Sequence, residues 1–253
     1  MRKILLAGLA VAASLVPAIA ADVAPAYIAP PPAWSWTGFY IGANAGWAGS
    51  TDAVTNLGTD TGAGGLGMSL LKGGIPGAIN LNETGFMGGG QVGYNWQAGM
   101  TVLGVETDFQ ASGVRGSLRA PCLPLMCGIP LTATYTQRVP WFGTVRGRVG
   151  VASNAWLIYV TAGYAYAQLA TDASAVAGPA TATLSLRETR NGWTAGGGIE
   201  VALAAGWSAK LEYLYLDLGR TSTGLVFPGI PVITDDARFT MNVVRAGLNY
   251  RFY

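Results

Sequence analysis

Two arginines lie two residues apart in a stretch that otherwise holds apolar, aromatic and small side chains. The stretch is TVRGRVGVASNAWLIYVTAGYAYA at residues 144–167, and the charged residues are Arg146 and Arg148. In an α-helix these two positions are separated by roughly 200°. In a β-strand they share one face, because side chains alternate with a period of two. A strand therefore gives both charges one environment and the apolar side chains another.

The same alternation recurs along the chain from Trp36 onward. Runs rich in aromatic, β-branched and glycine residues alternate apolar with polar or small positions, which is typical of β-strands. Eight runs cover residues 36–47, 84–97, 100–112, 134–151, 155–169, 190–203, 207–218 and 239–252. The chain is therefore predicted to be all-β.

The connections between these runs alternate in length. Short connections lie at residues 98–99, 152–154 and 204–206, and long ones at residues 48–83, 113–133, 170–189 and 219–238. Short turns at one end and long loops at the other are typical of transmembrane barrels. The sequence thus predicts an eight-stranded antiparallel up-and-down transmembrane β-barrel with short periplasmic turns and long extracellular loops. A soluble eight-stranded barrel is the competing interpretation.

The positions of the aromatic residues favour the membrane barrel. Aromatic rings cluster at the ends of the runs. Phe86 and Trp96 are ten residues apart, which for a strand tilt near 45° is about 23 Å along the membrane normal, close to the height of the apolar band. A soluble barrel keeps such rings inside and its charges outside, whereas tryptophan and tyrosine favour membrane interfaces. The expected aromatic girdle comprises Trp47, Phe86, Trp96, Phe109, Trp156, Tyr166, Trp193, Trp207, Tyr215 and Phe252.

Charged residues occupy the opposite face of the same runs. A small barrel has an interior just wide enough for side chains, so these charges are expected to form an ion-pair network across the lumen. Facing lipid at the midplane, an arginine costs about 2–4 kcal/mol. The expected lumen network has six basic and four acidic members: Glu106, Asp108, Arg138, Arg146, Arg148, Glu200, Lys210, Glu212, Arg245 and Arg251.

The N-terminal segment resembles an export signal. Arg2 and Lys3 precede an apolar stretch at residues 4–16, and the sequence PAIA ends in an Ala-x-Ala pattern. We expect residues 1–20 to be a signal peptide cleaved after Ala20, and residues 21–35 to be an Ala/Pro-rich tether. The barrel is then assigned to residues 36–253.

Several segments resemble the small outer-membrane β-barrel proteins of alphaproteobacteria, related to the OmpA-like transmembrane domain and the opacity-type surface antigens. The segments are WTGFYIGANAGW (36–47), LGVETDFQASG (103–113), WFGTVRGRVGVA (141–152), GWTAGGGIEVAL (192–203), LEYLYLDLG (211–219) and VVRAGLNYRF (243–252). The resemblance implies a surface-exposed outer-membrane barrel of a porin-like family, some members of which bind haem or host surfaces. The family usually stops at the aromatic equivalent of Phe252, so the assembly machinery that reads the C-terminal strand must accept the additional Tyr253.

Cysteine and histidine usage bears on cofactors. Cys122 and Cys127 lie close together in a long loop, and an oxidising compartment favours a disulfide between them; a reduced pair is the alternative. The chain has no histidine, so the two cysteines cannot complete a zinc shell without carboxylates. No metal, cofactor or catalytic residue is expected.

The expected function is therefore non-enzymatic. The absence of histidine removes the commonest general base, and paired carboxylates such as Glu106 with Asp108 have a structural role available. A net charge of +2 gives no electrostatic basis for nucleic-acid binding. We expect a structural and surface-interaction role in the cell envelope, with outer-membrane lipid, lipopolysaccharide, and host or phage molecules at the loops as partners. The alternatives are a small porin-like channel, or loop-based binding of a ligand such as haem or of a host surface.

Overall fold

The chain forms a closed antiparallel barrel of eight strands, in which each strand pairs with its neighbours in sequence and the first strand pairs with the last. The computed structural model describes residues 34–59, 79–122, 131–227 and 230–252. The strands are β1 Gly38–Thr59, β2 Ile79–Ala98, β3 Thr101–Cys122, β4 Leu131–Ser153, β5 Trp156–Ala177, β6 Ala180–Ala202, β7 Trp207–Phe227 and β8 Ile230–Arg251. The predicted all-β eight-stranded barrel is confirmed.

Some of the predicted features lie outside these described residues. The expected signal peptide, all but the last two residues of the expected tether, and Cys127 of the expected disulfide lie outside them. Among the described residues, no helix is long and apolar enough to cross a membrane.

The strands are longer than the runs from which they were predicted. The segment at residues 170–189 was expected to be a loop, but Thr171 pairs with Leu186 and the pairing continues to Ala177 and Ala180. Only Gly178 and Pro179 connect β5 to β6, and Gly178 has the positive φ of +56° that favours glycine. Alanine, threonine and serine alternate here with little hydrophobic contrast, so the period of two is hard to recognise in the sequence.

Strand length gives the barrel a wall taller than the membrane. A strand of 22 residues at about 3.3 Å per residue and 45° tilt spans about 50 Å along the barrel axis. The apolar band of an outer-membrane barrel is about 25 Å tall. In the membrane barrel that the sequence predicts, the end remote from the short turns therefore stands clear of the hydrocarbon.

A bulge in β4 changes which side chains point into the lumen in the half of the strand remote from the short turns. We call this end of the barrel the distal end. The pairing of β4 with β5 shifts between Arg138 and Trp141, so the two residues between them match one residue of β5. As a result Val139 is fully buried and Arg138 is exposed. The prediction that Arg138 faces the lumen was therefore wrong, because a bulge adds one residue to the alternation.

Candidate functional site in the barrel lumen

The centre of the lumen holds a cluster of buried carboxylates, guanidinium groups and an ammonium group. Arg146 on β4 contacts three carboxylates: it donates to Glu106, to Asp108 over 3.0 Å and to Glu212 over 3.0 Å. Its side chain is only 1% exposed. The period-two spacing of β3 and β7 places the acceptors on the inner face, so one arginine links two strands across the lumen.

Two further cations complete this cluster. Arg245 on β8 donates from Nε to Glu212 over 2.8 Å and from Nη2 to Asp108 over 2.9 Å. Lys210 on β7 places its Nζ 3.0 Å from both carboxylate oxygens of Glu106. Each carboxylate thus has at least two cationic partners, which offsets the cost of burying charge.

Arg148 lies in a second part of the network, between two tyrosine rings. Its guanidinium carbon is 4.9 Å from the ring centroid of Tyr40 and 5.1 Å from that of Tyr159. Its Nε donates to Asn95 over 2.8 Å, and its Nη1 lies 3.2 Å from Glu200. The planar cation is therefore held by cation–π contacts on its faces and by polar acceptors at its edge.

The two tyrosines also connect the part of the network around Arg148 to the central cluster of carboxylates. The hydroxyl of Tyr40 donates to Glu106 over 2.7 Å, and that of Tyr159 donates to Glu212 over 2.9 Å. Sequence reasoning missed both, although each occupies an inward position in its strand's alternation. Tyr40 fits because Gly93 faces it on β2: a Cβ atom there would lie 2.3 Å from the tyrosine oxygen.

Glu200 connects the charged network to a row of amides. It accepts from Ser208 over 2.5 Å and from Asn249 over 2.8 Å. Asn249 in turn accepts from Gln91 over 2.5 Å, and Gln91 accepts from Asn44 over 2.8 Å. All eight strands therefore contribute polar side chains to the buried interior.

The charges of the central network balance. Of the ten predicted members, the structure brings eight together in the buried network: Glu106, Asp108, Arg146, Arg148, Glu200, Lys210, Glu212 and Arg245. Arg138 lies outside, as described above, and Arg251 is buried near the short-turn end, 4.3 Å from the ring centroid of Trp34. The expected excess of positive charge is thus replaced by four acidic and four basic groups.

Apolar layers enclose this network on both sides. Toward the distal end, the side chains that are at most 1% exposed include Met87, Phe142, Leu214, Leu216, Phe239 and Met241. Toward the short turns, Trp36, Val102, Ala152, Leu157 and Tyr159 form a second apolar cluster. The lumen is therefore filled in three successive layers within the described part of the chain.

The predicted girdle residues lie on the outside of the barrel. Eight are about half exposed or more: Trp47, Phe86, Trp96, Phe109, Trp156, Trp193, Trp207 and Phe252. Tyr166 and Tyr215 are partly covered by ring contacts with Trp141 and Trp193, at centroid distances of 6.2 Å and 5.5 Å. Within the described residues, no cluster of three or more His, Cys, Asp or Glu side chains offers a metal site.

Comparison with known proteins places the chain among bacterial outer-membrane proteins. Residues 6–252 match the family described as outer membrane protein beta-barrel domain. The 31 kDa outer-membrane immunogenic protein of Brucella melitensis biotype 1 is 38% identical over 274 residues, covering 100% of both chains. The 22 kDa outer membrane protein of Rhizobium leguminosarum bv. viciae is 31% identical over 188 residues, which is 74% of this chain and 66% of that protein.

Solved structures of outer-membrane proteins also align with the chain. The outer membrane protein OprG of Pseudomonas aeruginosa covers 85% of this chain and 97% of its own, with 14% identity and a TM-score of 0.48. Neisserial surface protein A covers 85% and 98%, with 14% identity and a TM-score of 0.37.

Proposed function

The chain belongs to the outer membrane protein β-barrel domain family and is an outer-membrane protein, and from this premise we propose that it is a closed, non-enzymatic barrel with a structural and surface-presenting role. In this proposal the barrel anchors the chain in the membrane and its distal wall stands outside. Solutes do not pass through the lumen.

The filled lumen is the observation that carries this proposal. Arg146, Arg245 and Glu212 meet across the interior at hydrogen-bond distances, and all three side chains are at most 1% exposed. The apolar layer beyond them includes Phe142 and Phe239, both fully buried. An eight-stranded barrel has an interior just wide enough for side chains to fill, so these layers leave ions no continuous aqueous path.

The same contacts argue against catalysis in the lumen. A general acid or base needs to reach a substrate within hydrogen-bond distance. Glu106 and Glu212 are at most 2% exposed, and cations and tyrosine hydroxyls already occupy their oxygens. In the proposed role these carboxylates hold strands together.

Surface presentation is supported by the barrel's height and by its relatives. The strands reach about 25 Å beyond an apolar band that is itself about 25 Å tall. The Brucella relatives carry the word immunogenic in their names. We assign the exterior of the distal wall, and the connections between its strands, as the surface of this protein that molecules outside the cell meet.

Single-channel recording of the refolded protein in a planar bilayer tests the proposal. We expect no stable current steps from the folded protein, with insertion verified by protease protection in the same membranes. The matched variant Glu212→Ala/Arg245→Ala removes an oppositely charged pair and keeps the net charge. Stable, salt-dependent steps in the unchanged protein would overturn the proposal in favour of a porin-like channel. Steps confined to the variant would locate the blockage at the ion network.

A further inference from the structure

A depression of about 680 Å³ lies on the outside of the barrel across β1 to β6. It is lined by two kinds of side chain. At one side are the rings of Trp47 and Phe86, and at the other are the side chains of Arg115, Arg138 and Arg187. We call it the arginine groove.

Strand pairing places the three arginines in one row. Arg115 on β3 is directly opposite Arg138 on β4, and Arg138 is opposite Ala170 on β5. Ala170 is in turn opposite Arg187 on β6. Directly opposed residues of antiparallel strands project from the same face, and all three arginines are exposed. The bulge in β4 that turns Arg138 out of the lumen is what brings it into this row.

The groove has an excess of positive charge. Arg138 forms a salt bridge with Asp172, which also accepts from Ser185 over 2.7 Å. Within the described residues, Arg115 and Arg187 form no salt bridge. Placing like charges opposite one another in a sheet is unfavourable, so a row of arginines with one acidic partner is suited to an external anion.

The height of the groove relative to the membrane identifies the kind of anion. Trp47 and Phe86 belong to the aromatic girdle, which marks the boundary of the hydrocarbon. Arg115 lies six residues beyond the girdle ring of Phe109 on the same strand, which is about 14 Å along the barrel axis at 45° tilt. In the orientation typical of these barrels, with short turns in the periplasm, the guanidinium groups reach the headgroup layer of the outer leaflet.

We propose that the arginine groove binds the phosphorylated headgroup of an outer-leaflet glycolipid, the lipid A part of lipopolysaccharide. Its phosphates lie against Arg115 and Arg187, with Arg138 between them, and its acyl chains run down the barrel wall past Trp47 and Phe86. Guanidinium groups form bidentate, charge-assisted hydrogen bonds with phosphate. The rings of Trp47 and Phe86 supply apolar contact to the acyl chains.

Binding of diphosphoryl lipid A to the detergent-solubilised folded protein tests the proposal. Native mass spectrometry counts lipid molecules on the intact barrel as the lipid concentration rises. The test variant is Arg115→Gln/Arg187→Gln, which removes the two arginines that form no salt bridge within the described residues. The matched control is Arg220→Gln, which removes an exposed arginine of β7 outside the groove. Heat-dependent migration on gels verifies that each variant is folded.

We expect the double variant to bind diphosphoryl lipid A at least about tenfold more weakly, since it loses the charge-assisted hydrogen bonds of two guanidinium groups to phosphate. The Arg220→Gln control keeps its affinity, and the Arg115→Lys/Arg187→Lys variant binds with intermediate affinity because charge remains but the bidentate geometry is lost.

Three results would overturn the proposal. Equal loss in the Arg220→Gln control would show that only overall charge matters. Undiminished binding of dephosphorylated lipid A would show apolar adhesion without phosphate recognition. Displacement of the lipid by millimolar inorganic phosphate would show a site for small free anions instead of a lipid site.

Discussion

Strand β4 carries two arginines in opposite environments, eight residues apart. The side chain of Arg146 is 1% exposed and contacts three carboxylates, whereas that of Arg138 is 48% exposed and pairs with Asp172. The bulge between Arg138 and Trp141 separates them. The comparison shows that the residue type does not set the role of a charge in this barrel. The face it occupies and the number of its partners do.

The two environments differ in what happens when a partner is lost. In the lumen an unpaired charge remains buried, because the wall and the apolar layers keep water out. On the distal exterior a released side chain turns into solvent. Breaking a buried pair commonly costs about 3–5 kcal/mol, whereas exposed pairs contribute little.

The largest effect is expected from Glu212→Leu. This change removes one carboxylate acceptor from Arg146 and one from Arg245, and it removes the partner of the Tyr159 hydroxyl. We expect a loss of about 3–5 kcal/mol in the free energy of unfolding, measured by urea unfolding in phospholipid vesicles. Glu212→Gln, which keeps an acceptor oxygen, should lose less. An unchanged urea midpoint for Glu212→Leu would contradict the network described here.

A somewhat smaller loss is expected in the apolar layer. Phe142 is fully buried among the side chains beyond the network, and Phe142→Ala leaves a cavity that costs about 3 kcal/mol. The exposed Phe109→Ala on the outer wall is the matched control and should cost less in the same vesicles. If both changes cost the same, the interior of the barrel would not be more tightly packed than its lipid-facing surface.

Removal of one buried hydroxyl should have an intermediate effect. Tyr40→Phe deletes the donor to Glu106 and keeps the ring beside Arg148. Hydrogen bonds to charged groups contribute about 1.5–3 kcal/mol, and Lys210 and Arg146 still neutralise Glu106, so we expect a loss near the lower end. Urea midpoints of Tyr40→Phe and Tyr159→Phe measure it. No loss in either variant would mean that the tyrosines contribute through their rings alone.

The smallest effect is expected at the exterior arginine. Arg138→Gln removes an exposed ion pair with Asp172, and surface pairs contribute little because water screens them. We expect no resolvable change in the urea midpoint. A loss comparable to that of Glu212→Leu would show that Arg138 is part of the stabilising interior after all.

The pH dependence of this exterior pair follows from its carboxylate. The hydrogen bond from Ser185 and the nearby Arg138 hold the pKa of the Asp172 carboxyl below its usual value. Its small contribution to stability is therefore present above the unfolded pKa of about 3.9 and is lost as the pH falls through the lower folded pKa. We expect the stability difference between Asp172→Asn and the unchanged protein to be the same at pH 7 and pH 5. A difference that changes between these pH values would contradict this assignment.

Much of the interior could be predicted from the alternation alone. Arg146, Arg148, Lys210 and Glu212 follow the period of two in strands with strong hydrophobic contrast, so their common face is readable from the sequence. The face of Arg138 could not be predicted this way, because no pattern in the sequence marks the bulge whose extra residue shifts the alternation. Tyr40 and Tyr159 were missed because a tyrosine suits both the lipid interface and a polar lumen.

The sequence by itself determined that the chain is an eight-stranded barrel with an apolar outer face and a charged inner face. The period-two pattern specifies on which face of the sheet each side chain lies, and the number of such segments gives the approximate number of strands. The tertiary structure decided how tall the wall is, which charges meet and which leave the lumen. Partners such as Glu106 and Lys210 are 104 residues apart in the chain, and their contact depends on register, stagger and barrel closure. Those are properties of all strands together, so no local pattern contains them.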